Sequence, residues 1–346
     1  MTICRYDKQT IVTTKVDPIE DICGWVSGLR SSGYASDLLK EIHGFADLQE
    51  IKDSTKAITS HAEHAVHLLH QGMAGPVDVS YLPLYYCMLN LAKICIIATG
   101  YRKNLSKQRW HGATYPIEKD SQDLINETIY LKERGAIPLF YKSITGEALP
   151  NTSVKLALRQ VYPYIRYVSH EYCSLYKAER GYVDIELEYK GNKNLGYKIQ
   201  ATIDLQGRQS GIKANELRVL RGFRQIAGNQ LVFETDVLKG NLEDVQARLL
   251  TKVRRFLLVS DIDPLRNIRC DTPVSSSRLF APEELHILLA FFHLSNVVRY
   301  KPEFLDKLKD SRSWALLVSL PRHGTLTFLE HFWSFMHKRV TIVTSP

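Results

Sequence analysis

The stretch Tyr81-Leu-Pro-Leu-Tyr-Tyr-Cys-Met-Leu-Asn-Leu-Ala-Lys-Ile-Cys-Ile-Ile-Ala-Thr-Gly100 decides how the rest of the chain is read. It is far longer than a strand and almost wholly apolar, so it is a helix. Pro83, Asn90 and Lys93 interrupt the ~20 apolar residues that a membrane span needs. The expectation is a buried core helix from Leu84 to Ala98, closed by Gly100 where helix ends favour glycine. A helix that is apolar on every side must be wrapped by other elements.

Upstream, from about Asp17 to Gln71, apolar residues recur at helical spacing, as in Ala35-Leu38-Leu39-Ile42 and Ala57-Ile58-Ala62-Ala65-Val66-Leu69. Gly72-Met73-Ala74-Gly75-Pro76 reads as the turn of an antiparallel helix pair. Downstream, residues 101–116 form a basic loop, and Ala136 to Tyr141 reads as an edge strand because of its proline. Ser153 is the expected N-cap of a helix to about Tyr162, continued after Pro163 to Tyr176. Ala281-Pro282-Glu283-Glu284 opens the last long helix, Leu285 to Tyr300.

Between these helices the period changes to two. Val183, Ile185, Leu187 and Tyr189 alternate with polar residues, and Tyr197, Ile199, Ala201, Ile203 and Leu205 repeat the pattern, which predicts an antiparallel hairpin. Leu217–Ile226 and Leu231–Val237, around Gly228-Asn229, read as a second hairpin. A helix from Asn241 to Val259 and a polar loop from Asp261 to Arg278 follow. The class is therefore mainly α with an inserted antiparallel β-meander (α+β). Residues 1–176 form an N-terminal helical region, 177–240 the meander, and 241–346 a C-terminal helical region packing on the first.

The 346 residues are 45% hydrophobic and 24% charged, as in ordinary globular chains. Six scattered cysteines without a C-x-x-C pair argue against a disulfide framework or thiolate zinc site. No secretory leader is visible, so cytoplasm is the expected location and no membrane partner is implied. The net charge of +8 permits RNA, DNA or another polyanion as partner. No G-x-x-x-x-G-K-[ST], G-x-G-x-x-G, H-E-x-x-H or G-x-S-x-G occurs, so no cofactor is called for, and nucleotide hydrolysis, zincin proteolysis and serine-hydrolase chemistry are not expected.

Three ordered segments carry a family resemblance. Tyr81 to Lys93, followed by His111-Gly112, resembles the Pro-x-x-Tyr-Tyr and Asn-Leu-Ala-Lys helix and His-Gly of YaaC-like proteins. Phe292-His-Leu-Ser-Asn-Val-Val-Arg-Tyr-Lys-Pro302 is similar to that family's Leu-Ser-x-x-x-Arg-Tyr-x-Pro segment, and Val161-Tyr-Pro163 to its Ile-Pro helix. The resemblance spans roughly residues 50 to 310 and implies a shape rather than an activity. More broadly, the Tyr-Tyr-x-Met helix leading to His-Gly resembles HEPN helical domains, implying a HEPN-like helical core. Many of those are ribonucleases with Arg-x(4–6)-His, a spacing this chain lacks: Arg166 to His170 is too tight and Arg278 to His286 too wide.

Several side chains are candidates for chemistry. Arg102, Lys103, Lys107 and Arg109, interleaved with Tyr101 and Trp110, suit phosphate contact with base stacking; the alternative is a solvated loop with Trp110 pinned to the core. His111, Asn90 and Arg299 are the catalytic candidates, since an amide inside an apolar helix and a guanidinium beside one need partners; an internal clamp between the two helices is the alternative. His61, His64, His67 and His70 fan around half a helix, which reads as a solvated face rather than a metal site. Glu188-Tyr-Lys190 matches part of a nuclease signature, yet strand alternation already explains it. The expected function is a non-catalytic nucleic-acid-associated or assembly subunit, with a protein partner or a second copy as further partners. The alternatives are a ribonuclease using His111 and Arg299, or a regulator binding a small anion.

Overall fold

The computed structural model describes residues 9–108, 110–116, 123–149, 153–179, 181–192, 194–204, 223–226, 231–241, 244–245, 258–262, 267–273 and 281–344. In chain order these form β1 (Gln9–Thr13), α1 (Pro18–Gly28), α2 (Ser32–Asp37), α3 (Leu48–Ala74), α4 (Val77–Ala98) and α5 (Arg102–Ser106). Then come β2 (Ala113–Thr114), β3 (Thr128–Leu131), α6 (Ala136–Thr145), β4 (Val154–Ala157) and α7 (Arg166–Tyr176). The insertion carries β5 (Tyr182–Asn192), β6 (Gly196–Asp204), β7 (Phe223–Gln225), β8 (Val232–Thr235), β9 (Leu258–Ile262) and β10 (Asn267–Pro273). Helices return as α8 (Glu283–Tyr300), α9 (Pro302–Lys309) and α10 (Trp314–His337), before β11 (Val340–Thr344).

Two compact units result, one helical (mainly 10–178 and 281–346) and one built on the inserted sheet (mainly 179–280). The insertion therefore extends past the expected end at residue 240. Residues 258–259 are strand rather than helix, and the expected polar loop contains β10. Asn241 caps as expected, its Oδ1 accepting from the Asp244 amide at 2.7 Å, but residues 246–257 lie outside the described set.

In the sheet unit the strand order is β7-β8-β6-β5-β10-β9. The first hairpin is antiparallel as expected, with Ile185 opposite Ile203 and Leu187 opposite Ala201. These side chains, with Val183, Ile199 and Phe233, form one buried cluster. The second hairpin is present as β7 and β8, its Gly228-Asn229 turn lying outside the described residues. The chain skips a place, since β6 neighbours β8 and not β7.

The helical unit is organised by α4, which packs on α3, α6, α8 and α10. It is the one described helix long and apolar enough to cross a membrane, and 78% of that window is buried inside the protein. It starts at Val77, seven residues before the expected Leu84, because the helix runs through Pro83. Likewise α3 continues through Gly72 to Ala74 and leaves only Gly75-Pro76 as the turn. Gly72 is there for contact: a Cβ would sit 2.5 Å from Cγ of the fully buried Leu84.

Three further expectations are corrected. Ala136 to Tyr141 is the first part of α6, not an edge strand; Pro138 sits in the first turn, where a missing N–H costs nothing. Ser153 precedes β4 rather than a helix, although α7 ends at Tyr176 as expected. And α8 is not the last long helix. Pro321 should break α10 by depriving the Leu317 carbonyl of its amide donor. The hydroxyl of Tyr81, on α4, donates to that carbonyl instead. Leaving it bare would cost about 1–3 kcal/mol. Glu283 pins the start of α8, accepting from the Arg166 amide (2.7 Å) and Nε (2.9 Å) on α7 and from His331 on α10 (3.0 Å).

Replacing a helical glycine by alanine normally gains about 1 kcal/mol, whereas overpacking a core costs about 1–3. At Gly72 the second should win. Gly72→Ala is expected to lower unfolding stability by up to about 2 kcal/mol in denaturant titration, and a stabilised variant would contradict the close α3–α4 crossing.

Candidate functional site

The segment Trp110-His111-Gly112 is placed by backbone bonds before any side chain acts. The opening amides of α6 have no partners within the helix. Ala136 N donates to the Trp110 carbonyl (3.1 Å) and Ile137 N to that of His111 (2.8 Å), while Lys132 N donates to Gly112 (2.9 Å). Gly112 has φ +87°, and a Cβ there would stand 2.3 Å from Cδ of Pro138. Gly135 meets it from the other side, its own Cβ position 2.4 Å from the Gly112 backbone. Only two glycines let the strands of chain approach so closely.

This clamp holds the His111 ring against α4. It stacks on Tyr85 (5.6 Å, 21°) and stands edge-on to Tyr86 (5.9 Å, 70°). Tyr85 Oη lies 2.5 Å from His111 Nδ1. Burial pushes the Tyr85 hydroxyl far above its usual range, so it keeps its proton. If it accepted from Nδ1–H, its own buried O–H would be orphaned, which is the costlier arrangement. Tyr85 therefore donates to Nδ1, and the His111 proton sits on Nε2. Burial first, then the charges of Lys93 and Arg299, lower the pKa of the ring and keep it neutral.

His111 and Arg299 line one cavity of about 870 Å³, with Lys132, Glu133 and Arg134 on its wall and Trp110 and Tyr300 at its edge. Trp110 is 75% exposed and so is not pinned to the core. Arg299 is exposed and rests on its own helix: Nε donates to the Ser295 carbonyl at 3.1 Å, and Cζ lies 5.0 Å from the Tyr300 ring. Behind another wall residue, Tyr115, the hydroxyl donates to buried Glu127, which also lies 3.5 Å from Nε2 of fully buried His293.

Sequence reasoning singled out His111 and Arg299, and the fold brings them together. Asn90 is elsewhere: its amide donates to the Tyr86 carbonyl (2.8 Å) and its Oδ1 accepts from His61 Nδ1 (2.8 Å). No Asn90–Arg299 clamp exists. The basic loop changes more. Arg102 is engaged by Glu50 (3.0 Å) and Asp53 (3.0 Å) of α3, and Lys103 lies 3.9 Å from Glu50. Lys107 is exposed, and Arg109 lies outside the described residues. Lys132, Arg134 and Tyr300 were missed; the one signal was Gly135 ending a charged triplet. His64, His67 and His70 are exposed on α3 as a solvated face, and among the described residues no cluster of three or more metal-ligating groups is present. Glu188 and Lys190 pair with each other (3.5 Å) on the polar side of β5.

Gly112→Ala forces both a positive φ and a clash. A loss of about 2–4 kcal/mol in thermal or chemical unfolding is expected, and an unchanged stability would contradict the glycine clamp.

No curated protein and no solved structure matches the chain. A family model described as YaaC-like Protein matches residues 27–335, which include α3, α4, the His111-Gly112 turn, the inserted sheet and α8. The chain belongs to the YaaC-like family.

Proposed function

We propose that the His111–Arg299 cavity binds single-stranded nucleic acid without cleaving it. The observation that carries this is the tied-down imidazole. With Nδ1 taken by Tyr85, His111 has an Nε2–H to donate to a phosphate oxygen and no bare nitrogen to take a proton from a 2′-hydroxyl. Arg299, Lys132 and Arg134 supply cations against the single carboxylate of Glu133. Trp110 and Tyr300, 75% and 51% exposed, offer faces on which bases stack, worth about 1–3 kcal/mol each. The polyanion site is thus read from the cavity and not from the loop cations first in sequence, because Arg102 is already neutralised.

One observation favours a second reading. A metal-independent RNA-cleaving site needs a proton acceptor and a phosphate-binding cation together, and His111 and Arg299 share a wall. Turning the imidazole over would be required for it.

Anisotropy with labelled single-stranded RNA and DNA should show affinity falling steeply between ~50 and ~200 mM salt. Arg299→Ala and the pair Lys132→Ala with Arg134→Ala should each weaken binding and flatten the slope, by about one counterion per cation removed. Arg102→Ala should leave the slope unchanged. Intact RNA after incubation is the expected result; cleavage that vanishes in both His111→Ala and Arg299→Ala would replace binding by catalysis. An unaltered slope in the cavity variants would remove the cavity from the reading.

A further inference from the structure

A second row of polar side chains runs along α4 from the contact of Tyr86 with His111. Tyr86, Asn90 and Lys93 follow at spacings of four and three, so they share one face of that helix. Tyr86 meets His111 edge-on at 5.9 Å, and Asn90 is bonded to His61 of α3 at 2.8 Å. This face therefore leads from the cavity wall toward α3. Lys93 is half-buried, and among the described residues no carboxylate lies within ion-pair distance of it.

Burial lowers the Lys93 ammonium, and burial is likewise the first cause that keeps His61 and His111 below their ordinary values; the Lys93 charge adds to it in both rings. A cation partly withdrawn from water with no acid beside it lacks the counter-charge that buried ammonium groups ordinarily have. The Asn90 amide cannot supply it, since its oxygen is taken by His61 and its NH2 by the Tyr86 carbonyl. An anion from outside would. The charges of Arg299, on the cavity wall, and of Lys93, on α4, both act on the His111 ring.

We propose that Lys93 forms a second phosphate position beside the cavity, so that the ligand is an oligonucleotide presenting consecutive phosphates and not a mononucleotide. This rests on the cavity being the nucleic-acid site. Phosphodiester oxygens carry a full charge at neutral pH, so a two-phosphate segment satisfies Arg299 and Lys93 together, with His111 Nε2–H donating between them.

The test uses the full chain with two probes, 5′-AMP and a single-stranded penta-adenylate, titrated at low salt. Lys93→Met keeps the apolar stem in its half-buried place and removes only the charge. It is expected to weaken penta-adenylate about tenfold, as one charge-assisted contact would, and to leave 5′-AMP within about twofold. Lys93→Arg should restore the penta-adenylate affinity. Arg299→Ala should weaken both probes. If 5′-AMP binds and responds to Arg299→Ala while Lys93→Met changes neither probe, the second position is wrong and the cavity reading stands. Equal losses for both probes in Lys93→Met would place a single phosphate at Lys93 and overturn the two-phosphate ligand. Failure of both probes to bind the wild-type chain would overturn the cavity reading and the Lys93 position with it.

Discussion

An apolar helix with polar groups inside it imposes the constraint from which the helical unit follows. α4 cannot face water along most of its length, so α3, α6, α8 and α10 cover it. That covering is non-directional and roughly proportional to the apolar area removed from water. It does not choose which element lies where. The polar exceptions do. Tyr81, Tyr85 and Asn90 are buried, and each must find a partner or cost about 1–3 kcal/mol. Tyr81 takes the carbonyl that Pro321 leaves bare, Tyr85 takes His111, and Asn90 takes His61. The hydrogen-bonding needs of one helix thus fix a crossing, a loop and the face of another helix.

The site inherits its geometry from this arrangement. A histidine in a loop would ordinarily be mobile on the surface. Here its backbone caps α6, its following glycine packs against a second glycine, and its ring lies on Tyr85. Burial and two neighbouring cations keep the ring neutral, and its tautomer is set by the tyrosine. Such a group is built to donate one hydrogen bond in a fixed direction.

Much of the fold was legible because its signals are local. Strict alternation marked β5 and β6 to within three residues at each end, and the apolar run marked most of α4. The failures share a cause. Pro83, Pro321 and Gly72 are locally helix breakers, yet each sits inside a helix: Tyr81 takes the carbonyl that Pro321 frees, and Gly72 packs against buried Leu84. Ala136 to Tyr141 has no period, so its proline suggested an edge strand, while its first amides bond the carbonyls of Trp110 and His111, far upstream in the chain. For the site, His111 and Arg299 stood out by residue type and setting, whereas Lys132 and Arg134 lie in a turn without a motif. Arg102 was over-weighted for the converse reason. No acid neighbours it in sequence, yet Glu50 and Asp53 on α3 reach it in space.

The most direct measurement of the central claim is the tautomer of His111, read from the two ring-nitrogen shifts in a 15N-labelled protein, with Tyr85→Phe as the comparison. The expected result is a neutral ring near pH 7, protonated on Nε2, with a pKa below the ordinary histidine value of ~6.5. In Tyr85→Phe that tautomer preference should be lost. A proton on Nδ1 in the wild-type chain, or a ring charged at pH ~7, would contradict both the tyrosine's role and the non-catalytic reading of the cavity.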